Sequence, residues 1–237
     1  MPADDRTPTP PGGPAAVLWD MDGTLVDSEK VWSVSLGDTA RWLGGELSAG
    51  AREAVVGSNM ANTLVILFED LELPPDPPRI AEARRWLVAR TGELFAAGLE
   101  WRPGALDALH TVRAMGLPTA LVTNTGRVLT ETVLDAIGRE HFTVTVCGDE
   151  VPRGKPDPDP YLRAAELLGV PIAECVAIED SPIGALAAER AGATVLVVPC
   201  EVRVPPGPRR VQRRSLVGLT ASQLVDAHTW VRACRAA

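Results

Sequence analysis

The apolar positions along the chain change their period twice. Ala15 to Trp19 is an unbroken apolar run of strand length, and it ends in Asp20-Met21-Asp22-Gly23-Thr24. From about Glu29 to Glu100 helical spacing takes over. Trp32, Leu36, Thr39, Ala40 and Leu43 share one helical face, and Ile80, Ala83, Leu87 and Leu94 share another. Residues 51–56 and 62–71 predict two more helices, broken at Gly57-Ser58, while Pro74-Pro75-Asp76-Pro77-Pro78 is a stiff stop between helices. After Trp101-Arg102-Pro103-Gly104, strands predicted at 118–123, 143–147, 175–178 and 194–198 alternate with helices at 105–114, 128–137, 158–168 and 182–191. Short loops between alternating strands and helices predict an α/β fold. Its doubly wound parallel sheet is covered on both faces and interrupted after the first strand by an α-helical bundle. The division is then 15–29 with 100–237 for the core, 30–99 for the bundle, and a flexible leader at 1–14, too rich in Pro, Gly and Asp to order itself. Near the end, Arg209, Arg210, Arg213 and Arg214 follow Pro205-Pro206-Gly207-Pro208 and predict a solvated basic loop, with a last short helix from Ser222.

Hydrophobic residues make up 46% of 237 positions, enough for a sizeable core. The net charge of -8 argues against nucleic acid or an anionic membrane as partner. It leaves a small phosphorylated metabolite open, because a metal and one or two local cations can hold a phosphate. Cys147, Cys175, Cys200 and Cys234 lie far apart without metal-ligand spacing, so they predict reduced thiols in a cytoplasmic protein. No apolar run is long enough to span a bilayer, and the N-terminus does not resemble a signal peptide. A monomer or weak homodimer is expected.

In an open parallel sheet, ligand chemistry gathers at the carboxyl ends of the strands, and four polar stretches fall there. Asp20 and Asp22 stand one residue apart and repel each other unless a proton or a hard, oxygen-seeking cation such as Mg²⁺ separates them. Thr123-Asn124-Thr125 offers neutral donors suited to phosphate oxygens. Lys155, between Gly154 and Pro156, is one of two lysines in the chain, with Lys30, and its loop restricts where it points. Glu179-Asp180 ends an apolar strand before Ser181-Pro182; one of the two acids could cap the following helix, but two ask for more. Trp32, Trp42 and Trp86 read as core or hinge packing rather than ligand contacts.

Asp20-Met21-Asp22-Gly23-Thr24-Leu25-Val26-Asp27-Ser28, followed in order by Thr123, Lys155 and Glu179-Asp180, resembles the four-motif pattern of the haloacid dehalogenase-like (HAD) superfamily of aspartate-nucleophile phosphohydrolases. The resemblance covers the chain apart from its leader and tail. The helical insertion directly after the first motif is similar to the small cap of the phosphoglycolate phosphatase and β-phosphoglucomutase branch. The resemblance implies a Rossmann-like core and a Mg²⁺-dependent phosphatase acting on a sugar phosphate or a phosphoglycolate-like acid. It makes Asp20 the nucleophile that forms an aspartyl-phosphate, and Asp22 the general acid and then base. It places Mg²⁺ on the Asp20 and Asp180 carboxylates and the Asp22 carbonyl, with Glu179 in or beside its water shell. Thr123 and the N–H of Asn124 then hold phosphoryl oxygens, Lys155 offsets their charge, and Gly57-Ser58 inspects the leaving group. Two alternatives stay open. A β-phosphoglucomutase-like sugar phosphomutase shares all four motifs, although Thr125-Gly126-Arg127 differs from its serine-rich form. A phospho-acceptor switch of the receiver type uses similar groups on a similar sheet, but has neither the helical insertion nor a base two residues past the acceptor.

Overall fold

The computed structural model describes residues 12–200 and 202–236, so most of the predicted leader lies outside the described residues. Six strands form one sheet: β1 (Ala16–Trp19), β2 (Thr119–Val122), β3 (Val144–Val146), β4 (Cys175–Glu179), β5 (Thr194–Val197) and β6 (Arg210–Gln212). Their order is β3-β2-β1-β4-β5-β6, and every neighbouring pair is parallel. The chain winds outward from β1 to one edge, returns to the middle as β4, and winds outward to the other edge. The order therefore reverses between β1 and β4, and a crevice opens at their carboxyl ends.

The apolar runs are buried on both sides because helices cover both faces. Val17 and Trp19 of β1 pack toward α5 (Ala105–Ala114), α6 (Arg127–Ile137) and α9 (Ala221–Ala236). Ala16 and Leu18 pack the other way, against α7 (Asp159–Leu168) and α8 (Pro182–Ala191). This is the two-residue alternation of a strand, hidden in the sequence because both faces are apolar.

Between β1 and α5 lie α1 (Glu29–Leu43), α2 (Ala49–Ala54), α3 (Met60–Asp70) and α4 (Pro77–Ala97). They bury a core of their own, in which Leu36 and Leu43 of α1 meet Leu67 and Phe68 of α3 and Leu87 of α4. The proline run that stops α3 also starts α4: the Asp76 carboxylate accepts from the Arg79 N–H at 3.2 Å, and Pro77 fills a first-turn position that needs no donor. Trp42 and Trp86 stack at 5.8 Å on the outside of this bundle.

The stretch read as a solvated basic loop is organised instead. Arg210–Gln212 is the edge strand β6, and the Arg210 guanidinium pairs with Glu189 of α8 at 2.7 Å with a side chain only 7% exposed. A three-residue strand with a single apolar residue has no alternation to read, which is why the arginines dominated the expectation. Among the described residues, no helix is long and apolar enough to cross a membrane.

Candidate active site

The register of β1 against β4 sets up the site. Trp19 pairs with Ile178, so the next residues along, Asp20 and Glu179, emerge side by side at the carboxyl edge. Asp20, Glu179 and Asp180 are all buried, and each offers a carboxylate oxygen within 4.8 Å of the others. Two glycines make room for them. The Asp180 carboxylate occupies the space that a Cβ on Gly23 would take, and Gly23 also has a φ of +78°. The Glu179 carboxylate likewise fills the space beside Gly184, in the first turn of α8.

One cation enters this cluster. Lys155 Nζ donates to Asp20 Oδ1 at 2.6 Å, to Glu179 Oε1 at 2.7 Å and to the Val122 carbonyl at 2.8 Å, which uses all three of its protons. Glu179 is held further by Tyr161, whose hydroxyl donates to Oε1 at 2.5 Å, and by Ser181 at 3.4 Å. The Tyr161 ring lies 5.1 Å from the same ammonium. Burial, and next the charge of Glu179, push the Asp20 carboxyl up to about 8, against the pull of Lys155. Burial and the charges of Asp20 and Glu179 hold Asp180 well above the usual carboxylate range. Burial alone would depress the Lys155 ammonium, but Asp20 and Glu179 more than offset it and hold it above its ordinary value.

Three acids beside one lysine leave negative charge uncompensated, and Asp20 Oδ2 is buried without a hydrogen-bond partner. An orphaned carboxylate oxygen facing two other carboxylates is a donor set for a hard divalent cation, so the residues present fit Mg²⁺. Asp20 and Asp180 have oxygens to give. Glu179 is the most committed of the three, its oxygens already engaged by Lys155, Tyr161 and Ser181.

Asp22 stands apart from the cluster, among neutral donors. Its Oδ1 accepts from Ser28 Oγ at 2.7 Å and Trp32 Nε1 at 3.0 Å, and its Oδ2 from Thr125 Oγ1 at 2.8 Å and Thr123 Oγ1 at 3.1 Å. Trp32 is thus a site residue and not only packing. Its ring does pack edge-on against Phe95 at 6.1 Å, which is the part of its role that helical spacing conveys. Thr123 meets Asp22 and also accepts the Thr125 N–H at 3.0 Å. Asn124 clamps the lysine loop: its Oδ1 accepts the Lys155 N–H at 2.8 Å, and its Nδ2 donates to the Lys155 and Gly57 carbonyls, both at 3.1 Å.

That contact to Gly57 brings the helical bundle onto the strand ends. Gly57 (φ +70°) lies against Ser181, where a Cβ would stand 3.2 Å from the serine side chain, and Ser58 Oγ accepts from Asn62 Nδ2 at 2.9 Å. Between bundle and sheet lies a cavity of about 450 Å³, lined by Asp20, Asp22, Lys155 and Asp180 on the sheet side and by Trp32, Gly57 and Ser58 among others on the bundle side. All the residues singled out at the strand ends therefore converge, with Glu179 just behind the lining. Ser28, Trp32 and Tyr161 are site residues that the sequence motifs do not single out. Tyr161 reads as the buried stripe of α7, with Ala164 and Ala165, and only its place as the sole tyrosine in the chain sets it apart.

The chain is similar to several known proteins. The chain is 31% identical over 198 residues to protein CbbY of Rhodobacter capsulatus, covering 78% of this chain and 86% of that protein. It is 32% identical over 193 residues to a phosphoglycolate phosphatase of Thiobacillus denitrificans, covering 78% and 82%. The crystal structure of CbbY from Rhodobacter sphaeroides in complex with phosphate superposes with a TM-score of 0.78 at 29% identity, over 87% of this chain and 96% of that one. Residues 14–192, which carry the sheet from β1 through β4, the bundle and every acid described above, match the haloacid dehalogenase-like hydrolase family, and the chain is an enzyme that belongs to it.

Proposed function

We propose that the protein is a Mg²⁺-dependent phosphatase that hydrolyses a small phosphate monoester, a sugar phosphate or a phosphoglycolate-like acid, through an aspartyl-phosphate on Asp20. The observation that carries this reading is Asp20 itself. One of its oxygens is fixed by Lys155 at 2.6 Å while the other is buried and unpartnered beside two more carboxylates, at the floor of a cavity of about 450 Å³. Relatives named CbbY and phosphoglycolate phosphatase, and a related structure that holds phosphate, support the substrate class.

A carboxylate that approaches a phosphate dianion meets like charge, about 4 kcal/mol per charge pair at 4 Å and an effective dielectric of 20. Bound by Asp20, Asp180 and the Asp22 carbonyl, with Glu179 alongside, Mg²⁺ would supply the positive charge that offsets this repulsion. Lys155, aimed at Asp20 by Glu179 and Tyr161, contributes a second, fixed positive charge. An Asp20 oxygen bonds to phosphorus as the bond from phosphorus to the alcohol oxygen breaks, and Asp22 gives that oxygen a proton. Water then attacks the phosphorus and passes a proton to Asp22, the bond to Asp20 breaks, and inorganic phosphate leaves. Thr123 and the Asn124 N–H receive phosphoryl oxygens. Helices α1 to α4 act as a cap that keeps bulk water out and meets the leaving group with Gly57 and Ser58.

A phosphate-release screen over sugar, nucleotide and small-acid monoesters, with and without chelator, tests this reading. Turnover should need Mg²⁺ and vanish in Asp20→Asn with the fold intact. Turnover that survives chelation or that substitution would refute it.

A further inference from the structure

The cavity has a second cation, and the proposed chemistry does not use it. Arg52, on α2, lines the bundle side of the cavity. Its Nη1 reaches the carbonyl and the Oγ of Ser33 at 3.4 Å each, at the outer limit of a hydrogen bond. Among the described residues no carboxylate lies within ion-pair distance of it, whereas Arg90, Arg127 and Arg210 each sit on one. Glu29 and Glu53 line the same cavity. The guanidinium is nevertheless placed. It lies against α1 at Gly37, where a Cβ would stand in ordinary van der Waals contact, 3.6 Å from Nη2 and 3.7 Å from Nη1. Leu36, Leu47, Val55 and Met60 contribute apolar surface to the same cavity, and Arg52 itself is exposed. A guanidinium on the wall of the cavity, with most of its five donors uncommitted, matches a planar carboxylate or a phosphate.

Given the phosphatase reading, on which this inference rests, we infer that Arg52 is a leaving-group subsite. It binds a second anionic group carried on the alcohol part of the substrate. The substrate class is then a small monoester with charge at both ends: a transferring phosphate that meets Asp20 and Lys155, and a carboxylate or second phosphate that meets Arg52. Neutral polyol phosphates of the same length leave the guanidinium without a partner, and the enzyme discriminates against them.

The test is the steady-state hydrolysis of matched esters by the full-length, Mg²⁺-loaded enzyme. The esters share a carbon chain and end in a carboxylate, a phosphate, a hydroxyl or an ammonium group. The parent enzyme should prefer an anionic tail over the hydroxyl tail by about ten- to a hundredfold in kcat/KM, the span of one charge-assisted hydrogen-bonded pair. Whichever anionic tail ranks higher identifies the natural group. Arg52→Gln should collapse that ratio, Arg52→Lys should retain part of it, and Arg52→Glu should turn the preference toward the ammonium tail. Thermal melts confirm that each variant is folded, as expected for an exposed helix position. A ratio that survives Arg52→Gln, or a parent enzyme that hydrolyses all four esters equally well, overturns the subsite and leaves the phosphatase reading standing. No hydrolysis of any ester removes that reading, and the subsite with it.

Discussion

Replacing Lys155 with methionine keeps most of the side-chain volume and removes the one cation that the buried acids share. Three hydrogen bonds, at 2.6, 2.7 and 2.8 Å, disappear together. Asp20 and Glu179 then face each other within 4.8 Å, where two like charges cost about 3 kcal/mol at an effective dielectric of 20. The Val122 carbonyl is left without this donor, at a further cost of about 1–3 kcal/mol. Uptake of a proton by Asp20 relieves part of the repulsion, so the net loss should lie near the 3–5 kcal/mol typical of a broken buried ion pair, or about 6–20 °C in Tm for a chain of this size. The assay is thermal unfolding of parent and variant in chelator, at about pH 8 and again in mildly acid buffer. The gap should be widest at about pH 8 and narrow in acid, because a proton then substitutes for the missing ammonium. Added Mg²⁺ should recover part of the stability but not the turnover. A variant that melts within a degree or two of the parent at about pH 8 would show that Lys155 does not neutralise these acids, and the account of the cluster would fail.

Two further predictions follow from the same network. Asp20 and Asp180 both have carboxyls raised above their unfolded values, and the stability Asp20 gives is full below about pH 4 and is lost as pH rises toward about 8. The metal-free protein should therefore melt at progressively lower temperature over that window, and Mg²⁺ should raise the melting point most at its upper end; a flat profile with and without Mg²⁺ would contradict both assignments. Tyr161→Phe keeps the ring beside Lys155 but removes the 2.5 Å hydrogen bond to Glu179. Loss of that charge-assisted bond should lower stability by about 1.5–3 kcal/mol and reduce kcat by roughly tenfold with little change in KM, measured by chemical unfolding and initial rates; a larger effect on KM than on kcat would place Tyr161 in substrate binding instead.

The strand-end motifs were legible because their polar residues interrupt long apolar runs. Asp20 follows Trp19 and Asp180 follows Ile178 and Glu179, and an acid directly after a buried strand has few structural excuses. The helical insertion was legible for the opposite reason, since Leu36, Ala40 and Leu43 repeat at helical spacing with no alternation. Residues whose role depends on a partner far along the chain were less legible. Trp32 shows the period of an α1 core residue, and nothing local announces that its indole N–H meets Asp22. Tyr161 is 18 positions from Glu179 and lies on the apolar stripe of α7, so its hydroxyl is invisible to pattern. Arg52 looks like any exposed helical arginine until the structure shows that it lines the cavity and that, among the described residues, no carboxylate lies within ion-pair distance of it.

The register between β1 and β4 explains why this site is electrostatically poised rather than merely polar. Because Trp19 stands opposite Ile178 in the two central strands, the residues that follow must emerge together, and the chain carries an acid at each of those places. Hydrophobic burial on both faces of the sheet fixes that register, since a slip of one residue would exchange the side chains packed against α7 and α8 with those packed against α5 and α6. The fold therefore forces three carboxylates into one water-poor corner whether or not a cation is there to meet them. Lys155 offsets only part of that charge, and burial, with the charge that remains, holds Asp20 and Asp180 raised. A site built this way attracts positive charge before any substrate arrives, and a cation bound there would pull Asp20 toward its charged form. On the proposal that Asp20 is the nucleophile, metal binding would then favour the form that attacks.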